Sequence, residues 1–507
     1  MGVLIVKPFL FYIIALVFLS SCGGGGGSSA PDNKANPSLQ TDDKTPTTNE
    51  LTNSSAFEQR SLVVNIATDM IQNTCASDGV QQQFLVPVNL NYDSQVDFIA
   101  HYWCGRTDFH VFDDGPTPDL LVAYVSNSDG SYDQDNLTHF GVSNPRLGGA
   151  SRNLDTGDLN GDTVPDIAFA VNREDLRSTA DVDTIAARPA LLLSNAVGYD
   201  VQNMGIADWI HAVGINENKV IFSGFNMADA QVFTYNDGSF EDSTTTSFSG
   251  YNPGAFDAYE DFIIQGTDKN VDGKSFVGFE LLQSDGTRLD EFLFEENFKI
   301  QREIFGGSQY EERIVYSKEN GDLFFDSLAN EVKIFESNGE MLAVAIFDTH
   351  IFSGDGPLVS NQNVSRDQMI PKTEIFLFKV ENDLLISKNE DIDYVFGDDF
   401  VQFLDVGDLN NDSLLDLQFS VVDDRYHNPE VLIDGIPRVF LNDGNNGFDY
   451  VDDSKFITTP LSQDGSGRGF VYDINGDQTL DFVRFTFISK IQEVKIEIYL
   501  GESNFYE

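Results

Sequence analysis

The amino-acid sequence predicts an all-β body built from one recurring unit, on three observations. Past residue 57 the apolar runs are short, and several alternate with polar residues at the period of two that a half-buried strand requires. Val494-Lys495-Ile496-Glu497-Ile498-Tyr499-Leu500 is the clearest of them, with Leu62 to Ile66, Asp261 to Ile264 and Lys372 to Phe378 reading likewise. Between the runs stand Asn236-Asp237-Gly238, Ser284-Asp285-Gly286, Ser337-Asn338-Gly339 and Asn442-Asp443-Gly444, whose glycines suit the positive φ of tight hairpins. The third observation is an acidic loop, Asp158-Leu159-Asn160-Gly161-Asp162-Thr163-Val164-Pro165-Asp166, which returns at Asp408 to Asp416 and at Asp473 to Asp481. No long helical pattern competes.

The loop sets the period. A fourth copy starts at Asn89, so clear copies begin at 89, 158, 408 and 473, with steps of 69 and 65 residues inside the two pairs. The interval from 158 to 408 holds about four such steps. Three degenerate copies are therefore expected inside it, at Asn216, Asp268 and Glu336. Seven units of about 65 residues with about four strands each predict a seven-bladed β-propeller, six or eight blades also being compatible. Radial repetition removes the exposed edges that so many strands would otherwise leave. The last unit has no outer strand of its own, and Leu62 to Ile66 is spare. The ring is therefore expected to close by pairing the N- and C-terminal strands.

Ahead of this body, residues 1–21 read as a signal peptide. Lys7 is the only charge, an apolar run follows Pro8, and Leu19-Ser20-Ser21-Cys22 resembles a bacterial lipobox in which Cys22 is acylated. Residues 22–56 are Gly, Ser, Thr, Asn, Pro and Asp with hardly an apolar side chain, a flexible tether with a span of about 30 Å. Residues 57–507 form the body. Together these segments predict a lipid-anchored protein of the bacterial outer membrane, facing the cell surface or the periplasm. With Cys22 lipidated, Cys75 and Cys104 remain, and export permits a disulfide between them.

The charge is extreme: 82 Asp and Glu against 30 Lys and Arg, net −52 over 507 residues. A nucleic-acid partner would require a basic surface, so that class is excluded. The loops give part of the acidity a use. Asp, Asn and Asp at positions 1, 3 and 5 place oxygens on one side of an extended turn; the carbonyl at position 7 and the carboxylate at position 9 close the shell. All donors are hard oxygens with no His or Cys, which suits Ca²⁺. The expected calcium ligands are Asp158, Asn160, Asp162, Val164 and Asp166; Asp408, Asn410, Asp412, Leu414 and Asp416; and Asp473, Asn475, Asp477, Thr479 and Asp481. Asn89, Asn91, Asp93, Gln95 and Asp97 form a weaker copy, because Asn89 replaces a carboxylate.

The pattern Asp-x-Asn-Gly-Asp-x-x-x-Asp followed by an apolar strand resembles the FG-GAP and VCBS repeats, known from the propeller of integrin α subunits. The resemblance covers about residues 80–507, is specific at 158, 408 and 473, and is weakest between 205 and 400. It implies a seven-bladed propeller with calcium held between neighbouring strands of a blade. By that analogy the chain is expected to be a monomeric binding or adhesion module for an extracellular glycan or protein. Catalysis stays open. A polysaccharide lyase on a propeller scaffold would need a base such as His101 or Tyr102 near Arg106, or one of His110, His139, His211, His350 and His427, none in a recognisable catalytic motif. An outer-membrane assembly scaffold is the third reading.

Overall fold

Of the residues that the structure describes, 67% lie in strands and 3% in helices, so the body is all-β as expected. The computed structural model describes residues 57–64 and 80–501, except 94, 105–118, 144, 148–150, 172–188, 206–209, 211, 224–229, 244–254, 304–308, 319–320, 390–391, 393–399, 411, 423–436, 446, 452–464, 478 and 489–492. All of these fall in one compact unit, Ser54–Glu507. The expected signal peptide and tether, with Cys22 and Cys75, lie outside the described residues.

The chain opens with β1 (Phe57–Val64). Next come β2 (Val80–Val88), β3 (Asp97–Cys104), β4 (Asp119–Ser126), β5 (Tyr132–Gln134), the short helix α1 (Asn136–Phe140) and β6 (Arg146–Leu147). β2 to β5 form an antiparallel meander, and β6 pairs with the far end of β4. A second meander holds β7 (Ser151–Gly157), β8 (Asp166–Val171), β9 (Pro189–Asn195) and β10 (Gly198–Asn203). A third holds β11 (Ala212–Asn216), β12 (Lys219–Ser223), β13 (Gln231–Asn236) and β14 (Ser239–Asp242).

A ten-stranded sheet follows. It comprises β15 (Phe256–Tyr259), β16 (Phe262–Val271), β17 (Lys274–Gln283), β18 (Arg288–Glu303), β19 (Tyr310–Ser317), β20 (Leu323–Ser337), β21 (Glu340–Phe352), β22 (Asn363–Val364), β23 (Met369–Glu381) and β24 (Leu384–Ser387). The next sheet is β25 (Phe400–Gly407), β26 (Asp416–Val422), β27 (Arg438–Asn442) and β28 (Phe448–Tyr450). The last is β29 (Gly465–Tyr472), β30 (Asp481–Ile488) and β31 (Glu493–Gly501), and its fourth strand is β1. The anticipated pairing of the first and last strands is present, antiparallel from Phe57↔Gly501 to Val64↔Val494.

Turn chemistry sets these registers. Asp237 and Gly238 take φ of 47° and 87° between β13 and β14, and Asn338 and Gly339 take 49° and 74° between β20 and β21, the paired positive values of a two-residue hairpin. One pattern proved misleading. The alternation in β31 suggests a half-buried strand, yet Ile496 to Leu500 are all buried, Glu497 included. Arg484 on β30 resolves this by binding Glu497 Oε2 through Nε and Nη2 at 2.9 and 2.6 Å, so the polar face is paired rather than wetted.

Apolar cores join each sheet to the next along the chain. Phe84 and Val86 pack with Phe169 and Leu191, and the same core runs on to Val213 and Phe222. Ile221 and Phe256 share another, as do Phe335, Leu404 and Phe419. Leu409 and Val439 meet Val471 and Phe482, and the last sheet meets the first through Ile498, Val483, Phe98 and Leu85. A buried charge network adds a longer tie. Lys333 Nζ on β20 lies 2.6 Å from Asp155 on β7 and 3.7 Å from Asp257 on β15. Asp155 also accepts the Ile215 N–H of β11, and Asp257 the Ile334 N–H. Burial alone would push the Lys333 ammonium down, but Asp155, Asp257 and Glu331 outweigh it and hold the group above its ordinary value.

Lys333→Met should therefore leave Asp155, Asp257 and Glu331 buried without their shared counter-charge and cost about 3–5 kcal/mol, read as a lowered urea midpoint. A midpoint within error of the parent would show that the network carries no net stability.

Candidate metal centres

The four clear loops occupy one position in four sheets: they join the first strand to the second, β2 to β3, β7 to β8, β25 to β26 and β29 to β30. In each, the residue before position 1 pairs with position 9 across the ladder: Val88↔Asp97, Gly157↔Asp166, Gly407↔Asp416 and Tyr472↔Asp481. Position 9 is thus the first residue of a strand and is pulled inward, and all four of these aspartates are fully buried.

The position-9 carboxylate is held the same way four times. Its Oδ2 accepts the N–H of position 2, from Leu90, Leu159, Leu409 and Ile474 at 2.6, 2.6, 3.0 and 2.9 Å. Its Oδ1 accepts an N–H from the third strand, from Ser126, Ser194, Asn442 and Gly501 at 2.7, 2.6, 2.8 and 2.8 Å. Burial pushes Asp166, Asp416 and Asp481 upward, the last two to about 7, and the other loop carboxylates add to the rise. A cation among them would offset that repulsion.

The rest of the loop is an orderly run of Asx turns. Position 3 accepts the N–H of position 5 through Asn91, Asn160, Asn410 and Asn475. Position 5 accepts the N–H of position 7 through Asp93, Asp162, Asp412 and Asp477. At position 1, Asp158, Asp408 and Asp473 each accept the N–H of position 5. Asn89 departs from this and donates its amide to Asp93 O instead. Positions 4 and 6 turn left-handed, with Gly161 at φ 76° and Thr163 at 71°, so glycine at position 4 relieves strain where Tyr92, at φ 58°, does not.

Whether the donors could share an ion is tested by Ser194. Its Oγ lies 3.1 Å from both carboxylate oxygens of Asp162, 3.3 Å from Val164 O and 2.8 Å from Asp166 Oδ1. Oxygens of positions 5, 7 and 9 therefore gather around this one hydroxyl, and all are hard donors of the kind that calcium takes. Among the described residues, no group of three or more His, Cys, Asp or Glu side chains is arranged to hold a metal by itself. Two of the five expected donors, the position-3 amide and the position-7 carbonyl, are not acids, and the carboxylates here face backbone N–H groups.

The degenerate copies carry no such loop. Asn216 and Ser337 flank two-residue hairpins, β11 to β12 and β20 to β21. Asp268 was expected to start a loop; it lies inside β16, paired with Val277, and the equivalent turn is Glu260-Asp261, with Glu260 at φ 50°. Sequence reasoning also passed over Ser126, Ser194, Asn442 and Gly501. They follow position 9 by 20 to 29 residues, too far for a local motif to include them.

The candidate bases scatter. His101 is fully buried against Phe84 and Phe169, and Tyr102 shares a 2.7 Å hydrogen bond with Tyr124 in the core, burial pushing both hydroxyls upward. His139 Nδ1 sits 2.9 Å from Val197 O, and His350 stacks on Phe325. Arg106, His110, His211 and His427 lie outside the described residues, and Cys104 ends β3 with its side chain likewise outside.

No family model matches the sequence, and no curated protein matches it. Solved structures share only a distant likeness. The polysaccharide lyase Uly1 is 12% identical over 84% of this chain and 90% of its own, with a TM-score of 0.33. An apocarotenoid oxygenase from Synechocystis is 8% identical over 86% and 96%, at 0.29. The tail fiber of Staphylococcus aureus phage P68 is 8% identical over 86% and 80%, at 0.22. Likenesses at this level carry no argument about activity.

Asp166→Ala should destabilise the protein even in chelator, by about 1–3 kcal/mol for each of the two N–H groups it strands. Asp162→Ala, at an exposed position, should be near neutral in chelator and remove only this loop's share of the gain from added calcium. Thermal melts with and without calcium separate the two; equal losses in chelator would overturn the assignment.

Proposed function

We propose that this chain is a calcium-stapled, seven-bladed β-propeller of the FG-GAP/VCBS type, anchored to the bacterial outer membrane by lipid on Cys22. Its role is to present a binding surface to an extracellular glycan or protein. The observation that carries the reading is the fourfold recurrence of one loop, with the same hydrogen bonds at positions 3, 5 and 9, at the same place in four sheets.

The blade count has its own support. The ten-stranded sheet divides where β17 hands over to β19 along β18, and where β19 hands over to β21 along β20. That division leaves β15 to β18 as one meander and β20, β21, β23 and β24 as another, so seven units result. β19 and β22 are then an outgrowth of the lengthened strands. The β1–β31 pairing, the core shared by the last and first sheets, and the Val96 N–H to Ile474 O bond support closure of the ring.

In this reading positions 1, 3, 5 and 9 supply side-chain oxygens and Val164, Leu414, Thr479 and Gln95 supply the carbonyl. Calcium neutralises carboxylates that repel one another and fixes the strand ends. The ion is structural, and the partner surface lies elsewhere. At millimolar calcium, affinities typical of extracellular modules would contribute about 0.4–1.4 kcal/mol per loaded loop.

Chelation should accordingly lower the melting temperature, with recovery on added Ca²⁺ and weaker recovery on Mg²⁺; an unchanged melt would end the calcium reading. For the partner, a glycan array read for both retention and new unsaturated ends should show retention without product. Product would instead make the chain a lyase, and silence on every glycan would turn the search to proteins.

A further inference from the structure

Three of the four loops touch one another. The Asp473 N–H donates to Leu409 O at 3.0 Å, and the Val96 N–H donates to Ile474 O at 3.1 Å. Both acceptors are the carbonyl of position 2. The N–H of that same residue is held by its own loop's position-9 aspartate, Leu409 by Asp416 and Ile474 by Asp481. Its side chain, in turn, is buried in the neighbouring sheet. Leu409 shares a core with Val471, Leu480 and Phe482, and Ile474 with Leu85 and Phe98. Residue 2 is therefore fixed by its own loop and presents its carbonyl to the next.

The receiving groups sit within the ligand pattern of the following loop. Asp473 is position 1, and Val96 is position 8, between the carbonyl donor Gln95 and the carboxylate Asp97. The loop at 158 meets the 89 loop's neighbourhood through side chains only: Leu90 and Leu159 share one core, and the Tyr92 hydroxyl donates to Asn195 O at 3.5 Å. Leu159 packs with Val213 and Ile215 of the next sheet, where the β11–β12 connection is a bare hairpin. Among the described residues no backbone hydrogen bond joins the 158 loop to another loop.

We propose that the loops at 408, 473 and 89 take up calcium cooperatively as one file, while the loop at 158 takes up its ion alone. The inference rests on the cation reading above. Ordering one loop fixes its position-2 carbonyl, which restrains a backbone N–H inside the ligand run of the next. The second ion then finds part of the ordering already done. Linkage makes each effect reciprocal, so the loop at 473 changes the affinity of the 408 loop by the same factor as the 408 loop changes that of the 473 loop, and the same holds for the pair 473 and 89. The file also crosses from the sheet that holds β1 and β31 to the sheet that follows them, so its cooperativity bears on the joint between the two chain ends.

The test is a calcium titration of the full chain followed by hydrogen-exchange mass spectrometry, read loop by loop. In Asp477→Ala and the milder Asp477→Asn, half-protection of 408–416 and 89–97 should require about fivefold or more calcium than in the parent. The midpoint for 158–166 should not move. Asp162→Asn should erase protection in 158–166 and leave the other three midpoints in place. Protection of the β16–β17 hairpin, remote from every loop in sequence, verifies that each variant is folded. Unchanged midpoints in both flanking loops of a folded Asp477→Asn protein would overturn cooperativity while leaving calcium binding intact. Absence of calcium-dependent protection from every loop of the parent would instead remove the cation reading, and the proposal with it.

Discussion

The structure depends on one carboxylate used four times. At position 9 an aspartate begins the second strand of a sheet, accepts the N–H of position 2 with one oxygen and takes an N–H from the third strand with the other. Three segments that share no local sequence are thereby fixed at one point, inside the core. A buried carboxylate is costly unless its oxygens are satisfied, so the surrounding N–H groups and the carboxylate constrain one another. The exposed Asp and Asn residues of the loop are arranged around this centre. They satisfy the turn's backbone through Asx bonds, and their acidity gathers beside a carboxylate that burial already disfavours.

What could be read in the sequence follows from the distance over which each feature is encoded. The loops span nine residues, and their Asx turns, left-handed glycine and following strand are local, so they were legible at 158, 408 and 473. The hairpins at Asn236-Asp237-Gly238 and Ser337-Asn338-Gly339 were legible for the same reason. The pairing of β1 with β31 was reached by counting strands rather than by any motif. By contrast, Ser194 supplies the decisive hydroxyl from the third strand, and nothing near Asp166 in the chain announces it. Asp268 misled because Asp-x-Asn-x-Asp within a hairpin imitates the start of the loop, although it lies one connection too late, between β16 and β17. Period-two alternation in β31 signalled a wet face, because Glu497 gives no sign in sequence of its partner Arg484.

The units between the two pairs of loops solve the same electrostatic problem by other means. Among the described residues, ion pairs gather between Lys269 and Lys379. Lys269 and Arg288 converge on the buried Glu280, Arg302 and Arg313 on Glu311, and Lys333 on Asp155 and Asp257. Here the first and second strands of each unit are joined by tight hairpins, and the counter-charge comes from the chain itself. In the loop-bearing sheets Arg484 pairs with Glu497, and Asp155 of β7 takes its counter-charge from Lys333 of another sheet.

That division gives the net charge of −52 a physical sense. Had each loop been neutralised by a lysine or arginine, those sheets would hold together without any ion, as the units at 256–387 do. In the proposed reading an acid-only loop instead makes the rigidity of those sheets conditional on a bound cation. The Lys333 network and the loops therefore act on different joints under different control. One is fixed when the chain folds. The other, in this reading, is completed only where divalent cations are abundant, and it includes the contact between the sheet of β1 and β31 and the sheet of β2 to β5.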